Sequence, residues 1–298
     1  MLHPITFSIP EEKILTCIPR LKTKILSDLI PGKLDTYIYN NEIDYYNEYR
    51  TSYFAVTMKK AGWDCMRHYE IISNGCLPYF PDIEECPYNT MYLCPKQLFI
   101  DSNSLYQKLI LKKISDLSEF DIIEYNILLT KIIKYTKDNL STNKIAKYIL
   151  EKSRFEHISK ILYLSGNIDP DYLRCLTLHG FKEKFGKMCH DYPKVPHIYK
   201  SNDINYSNLY GKGITYTNLL DSTLHDDNLD QTIEQDIERK YYDIIIYGSY
   251  HRGTPYYELV SKIYNPSEII LLCGEDIHCC NYPQLVDRGH TVFVRELN

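Results

Sequence analysis

The sequence predicts an α/β protein made of two doubly wound domains joined by a helical segment. Three observations carry that prediction. Between residues 157 and 298, continuous apolar runs alternate with amphipathic stretches, the pattern of a parallel sheet covered on both faces. Residues 52–80 spell strand, loop, helix and strand, a βαβ unit whose strands run parallel. The 298-residue length suits two domains of about 150 residues each. The expected division is a first α/β domain over 1–100, a helical connection over 101–156 and a second α/β domain over 157–298.

Along the chain, "ITFSIP" (5–10) is expected as a short strand and "EEKILTCIPRLKTKILSDL" as a helical stretch broken at Pro19. "LDTYIY" is expected as a strand and "NNEIDYYNEYRTS" as a helix leading into the strand "SYFAVT" (52–57). A turn holding Lys59, Lys60 and Gly62 follows. Asp64 is the expected cap of the next helix, Gly75 its left-handed stop, and "CLPYF" the strand after it. Apolar residues at three- and four-residue spacing make helices of the stretches between 101 and 156. "KILYLSG" (160–166), "YYDIIIYGS", "SEIILLCGED" and "HTVFVREL" are strands, with "PDYLRCLTLHGFKEKFG" and "PYYELVSKIY" as helices between them. Residues 196–240 are polar, and part of them is expected to be a mobile loop.

Composition excludes several function classes. A net charge of −5 argues against a nucleic-acid partner, which needs a concentrated basic surface. No uncharged apolar run reaches the 18 residues of a membrane span, and "MLHPITFSIPEEK" lacks the features of a signal peptide. The ten cysteines, irregularly spaced and without a CxxC pair, are then expected as reduced, mostly buried small hydrophobes of a cytoplasmic chain.

Chemistry concentrates after the strand 52–57. Free backbone N–H groups at a helix start favour phosphate, and Lys59, Lys60 and Arg67 add cations there. Glu70, one turn on, is placed to accept hydrogen bonds from ribose hydroxyls. A surface ion pair between Arg67 and Glu70 is the plain alternative. No metal is expected at this site.

The longer string "SYFAVTMKKAGWDCMRHYEIISNGCLPYFPDIEECP" resembles the donor-binding signature of exostosin-type glycosyltransferases through Ser52, Phe54, Gly62, Arg67, Glu70, Gly75, Cys76, Pro78, Asp82 and Pro87. The resemblance covers roughly residues 45–95, about a sixth of the chain. It departs in the loop "MKKAGWDC", where the family carries Pro-x-Gly. It departs also in position, since the family's signature lies in its C-terminal half. Similar glycosyltransferase-like proteins occur in algae and large DNA viruses. The resemblance implies a GT-B architecture of two Rossmann-like domains, here in swapped order, with Arg67 on the diphosphate and Glu70 on the ribose of a nucleotide-sugar.

In the second domain, loops at strand ends are expected to line the cleft. Asp276 and His251 are the first candidates for the base that deprotonates an acceptor hydroxyl, with Asp169, Glu275 and His278 behind them. Asp169-Pro170-Asp171 has the D-x-D form of a cation site, but a helix cap explains it more simply. The "HCC" at 278–280 lacks the partner ligands that zinc needs. The function expected is metal-independent, inverting transfer of a sugar from a nucleotide-diphosphate donor to a hydroxyl of a glycan or protein, without a bound cofactor. The alternative is a non-catalytic nucleotide- or carbohydrate-binding module on a decayed enzyme fold.

Overall fold

The computed structural model describes residues 1–276 and 281–298. Two parallel sheets organise the chain. The larger has six strands: β1 (Leu2–Pro4), β5 (Ile161–Leu164), β6 (Cys189–Tyr192), β7 (Ile244–Tyr247), β8 (Ile269–Cys273) and β9 (Thr291–Val294). Their order is β1-β9-β8-β7-β5-β6, and every pairing is parallel. From β5 the chain steps outward to β6, then returns past β5 to β7, so the winding reverses between β5 and β7. Ligands in doubly wound sheets lodge at such a reversal, beyond the carboxyl ends of the strands.

The smaller sheet has three strands, β2 (Lys24–Leu26), β3 (Ser52–Val56) and β4 (Leu77–Tyr79), in the order β2-β3-β4. It has no reversal, which corrects the expectation of a doubly wound first domain. The βαβ unit is present: β3 and β4 pair in parallel through α2 (Met66–Ser73). Before β3 lies α1 (Glu42–Arg50), capped by the Asn41 side chain on the Asp44 N–H.

Residues 5–40 depart from expectation most. The stretch around Pro19 forms a 3₁₀ turn at Glu11–Lys13 and then β2, and "LDTYIY" gives another 3₁₀ turn at Leu34–Thr36. Pro10, Pro19 and Pro31-Gly32 interrupt these residues too often for a helix to be sustained. The first strand is Leu2–Pro4 rather than 5–10, and it adds to the larger sheet beside β9. The first hundred residues therefore contribute strands to both sheets.

Three helices follow, α3 (Lys96–Leu109), α4 (Glu119–Asn139) and α5 (Thr142–Ser153). A Ser118–Asp121 capping box starts α4. They pack in sequence from the small sheet to the large one: α3 on β4, α4 on α2, and α5 on α6 (Tyr172–Phe185). One apolar core runs through both sheets, joining Phe54 and Leu77 to Tyr163, Ile244 and Phe293. The remaining helices, α7 (Asp227–Asp230), α8 (Ile233–Glu238), α9 (Tyr257–Ile263) and α10 (Tyr282–Asp287), are short. No helix among the described residues is long and apolar enough to cross a membrane. Among the described residues seven cysteines are free thiols, whereas Cys273 is disulfide-bonded, an exception to the expected reduced state.

Candidate functional site

A cleft of about 750 Å³ opens between the two sheets. Its walls are the loops leaving β3, β5, β7 and β8, together with a strap at 210–214. Both loops at the winding reversal reach it, through Asp171 on one side and His251 and Arg252 on the other.

Arg67 and Glu70 enter from α2. The N-cap of this helix is Cys65, without a side-chain cap bond, so Asp64 does not cap it. Asp64 instead turns inward and accepts from the Phe7 N–H at 2.6 Å and the Tyr69 hydroxyl at 2.9 Å. Burial pushes its carboxyl up to about 6, against the Arg295 charge that favours ionisation. Gly75 ends the helix with φ +70°, as its sequence position implies.

The surface ion pair considered for Arg67 and Glu70 does not form. Glu70 is buried, with Oε2 accepting from Tyr45 at 2.8 Å and Oε1 from Thr215 at 2.7 Å. Burial raises its carboxyl above the usual range, while these hydroxyls and the Arg67 charge pull it back. Arg67 lies with its guanidinium 5.7 Å from the Tyr37 ring centre, and its buried Nε and Nη1 have no hydrogen-bond acceptor. A buried guanidinium with unsatisfied donors is costly, and an anion in the cleft would satisfy it. The cleft's other cations are engaged. Arg252 Nε donates to Asp171 at 2.7 Å, and Lys212 Nζ donates to the Tyr39 carbonyl at 2.9 Å.

The other expected residues divide. Lys59 and Lys60 are exposed and do not line the cleft; the Lys59 ammonium lies 4.9 Å from the Trp63 ring centre. Gly62 packs against the chain's C-terminal segment, where a β-carbon would sit 2.6 Å from Glu296 Oε1. His251 and Asp276 line the cleft. His251 Nε2 lies 2.9 Å from Glu275 Oε1, and burial holds its pKa below the usual value against the Asp171 and Glu275 charges. Asp276 is paired with Arg295. Asp171 caps α6 through the Arg174 N–H at 2.9 Å, so the D-x-D is a cap, and Asp169 does not line the cleft. His278 and the "HCC" lie outside the described residues.

Sequence reasoning missed two features. Arg295, fully buried just after β9, binds Asp276, Glu296 and the Asp64 carbonyl at once. A cation directly after an apolar strand was the available signal. The strap around 210–218, within the polar stretch expected to be partly mobile, is tied to α1 by Thr215, whose N–H donates to Glu42 at 2.8 Å and whose hydroxyl meets Tyr46 at 2.7 Å. Tyr37, Tyr45, Tyr172 and Tyr210 give the cleft aromatic walls. No protein-family model, no curated protein and no solved structure matches this chain.

Proposed function

We propose that the chain is a nucleotide-sugar-dependent glycosyltransferase whose donor binds in this cleft. The observation that carries the reading is Arg67: a cation with unsatisfied N–H groups, at a strand-to-helix turn, facing a cavity of about 750 Å³. A diphosphate satisfies those donors bidentately, and the developing charge on the leaving group is stabilised in the same place. Arg252 and Lys212 flank it, and the tyrosine walls offer faces for base and sugar. The two sheets then correspond to the two halves of a GT-B enzyme in swapped order, with the acceptor hydroxyl of a glycan or protein entering from the larger sheet. The seven free thiols among the described residues support a cytoplasmic setting, and the disulfide at Cys273 counts against it.

Within this reading His251 is the better base. With Nε2–H given to Glu275, Nδ1 carries the lone pair, and burial keeps the ring neutral. Asp276 is held in an ion pair with the Arg295 guanidinium, which occupies the oxygen that an acceptor hydroxyl would need.

A second reading, a binding module without turnover, is favoured by one fact: both expected base residues are already paired, His251 with Glu275 and Asp276 with Arg295. Calorimetric titration with a panel of nucleoside diphosphates tests the shared donor site, and wild-type protein that binds none of them ends both readings. Release of nucleoside diphosphate from a panel of nucleotide-sugars then separates enzyme from module.

A further inference from the structure

The edge strand β6 carries a second constellation, none of whose residues lines the cleft. His190 points from β6 into the protein and is 1% exposed. Neither of its ring nitrogens makes a hydrogen bond, although Nε2 lies 3.0 Å from Asp230 Oδ1. From the following segment, His225 places Nε2 3.1 Å from the other oxygen of the same carboxylate. The two imidazole centres are 5.2 Å apart, and the donor atoms of His190, His225 and Asp230 all lie within 4.8 Å of one another.

Buried polar atoms are nearly always satisfied, and leaving one unpaired costs about 1–3 kcal/mol. Here both His190 nitrogens and Asp230 Oδ1 are left so, and one ring nitrogen from each histidine and one Asp230 oxygen come within reach of a single ion. A tetrahedral ion with bonds of about 2.0–2.2 Å sets neighbouring donors roughly 3.3–3.6 Å apart, a few tenths of an ångström wider than the His–Asp separations found.

The surroundings are those of a ligating histidine. His225 Nδ1 meets Asp191 Oδ1 at 3.0 Å, which turns Nε2 toward Asp230. Asp191 is itself held by Lys182 at 2.7 Å and the Tyr199 hydroxyl at 2.7 Å. A carboxylate behind the ring fixes its tautomer and raises its basicity as a ligand. Asp227 Oδ1 lies 3.5 Å from His225 Nε2, beside the fourth position.

We propose that His190, His225 and Asp230 bind one divalent transition-metal ion of the Zn²⁺ class. Two imidazoles and a carboxylate suit such an ion better than Ca²⁺ or Mg²⁺, which take oxygen donors. The ion ties the segment from Ser222 to Asp230 onto the sheet edge. Without an ion, His225 would instead bridge Asp191 and Asp230 as an imidazolium, with His190 left unsatisfied.

The test uses the full chain, stripped with a chelator and titrated with Zn²⁺, Co²⁺ and Mn²⁺ in turn. Bound metal is counted by mass spectrometry, and Co²⁺ coordination is read from its visible absorption. One Zn²⁺ or Co²⁺ per chain is expected, with a Tm that rises with metal concentration. His190→Gln and Asp230→Asn should each weaken uptake at least about 10-fold. Glu183→Gln, in the separate Glu12–His179–Glu183 cluster, should leave it unchanged. Asp230 is part-exposed, so Asp230→Asn should fold, with the far-UV spectrum of metal-free wild type. Stripped wild type that takes up none of the three ions overturns the proposal. So does a folded Asp230→Asn chain that binds metal as wild type does.

Discussion

Arg295 donates to the main-chain oxygen of Asp64 at 2.5 Å, although 231 residues separate them in sequence. The same guanidinium holds Glu296, whose carboxylate accepts from the N–H groups of Trp63 and Asp64 at 3.0 Å each. The end of the larger sheet thus grips the loop that feeds α2. Arg295→Met should cost about 3–5 kcal/mol, because it leaves buried carboxylates without their counter-charge. Urea unfolding measures it, and a loss below about 1 kcal/mol would refute the clamp.

Gly62 is where this grip needs the absence of a side chain. A β-carbon there would meet Glu296 Oε1 at 2.6 Å and Cδ at 2.9 Å. Gly62→Ala should therefore destabilise by about 1–3 kcal/mol through overpacking. Combined with Glu296→Ala it should cost less than the two substitutions summed, which a double-mutant cycle reads directly.

Arg67 should show opposite effects on stability and binding. Replacing an unsatisfied buried cation by Met removes its desolvation cost, so Arg67→Met is expected to gain about 0.5–2 kcal/mol in unfolding free energy. It should also abolish nucleoside diphosphate binding. A variant that is both less stable and binding-competent would mean that Arg67 is a structural residue.

Thr215 sits at φ +79°, a conformation rare for a β-branched residue, and its hydroxyl bonds Glu70 at 2.7 Å. Thr215→Val keeps the shape and removes the bond, leaving a buried carboxylate oxygen unpaired for about 1–3 kcal/mol. Thr215→Ser should stay near wild type. Thermal melts of the two variants compare them, and equal melting points would contradict this account.

Acid should unfold the protein through its buried histidines. Burial holds His68 down to about 3 and His179 and His197 to about 4, from 6.5. Below pH 6.5 the unfolded chain takes up protons that the folded chain refuses, so their contribution is fully present above about 6.5 and is lost as pH falls toward 4. Asp64 works the other way. Its carboxyl, raised by burial from 3.8 to about 6, favours the fold most at low pH, and that contribution declines between pH 4 and 6. Glu70 and Glu183, also raised by burial, act in the same direction as Asp64, but the three histidine shifts together are larger, so the urea midpoint should drop from pH 6.5 to 4. His68→Gln should flatten that limb, and an unchanged limb would exclude His68 as a cause.

The parts legible in the sequence are those where burial leaves little choice. β5, β7, β8 and β9 are buried at every residue, or nearly so, and read as unbroken apolar runs. The edge strands β1 and β6 escaped notice because "LHP" and "CHDY" carry polar groups and proline, which an edge tolerates. At the site, Arg67, Glu70, His251 and Asp276 were legible because strand ends place them by rule. The strap was not, since its position depends on Thr215 reaching Glu70 across 145 residues, which no local pattern encodes.

The pairing of Leu2 with Val292 sets a timetable for biosynthesis. At about 5–20 residues per second, the ribosome finishes β9 roughly 15–60 s after it makes β1. Throughout that interval the six-stranded sheet lacks an edge, and the early strand has no hydrogen-bonding mate. Pauses in translation, or a chaperone that shields the nascent N-terminal segment, should raise the yield of folded chain more than they would for a protein whose sheet closes locally.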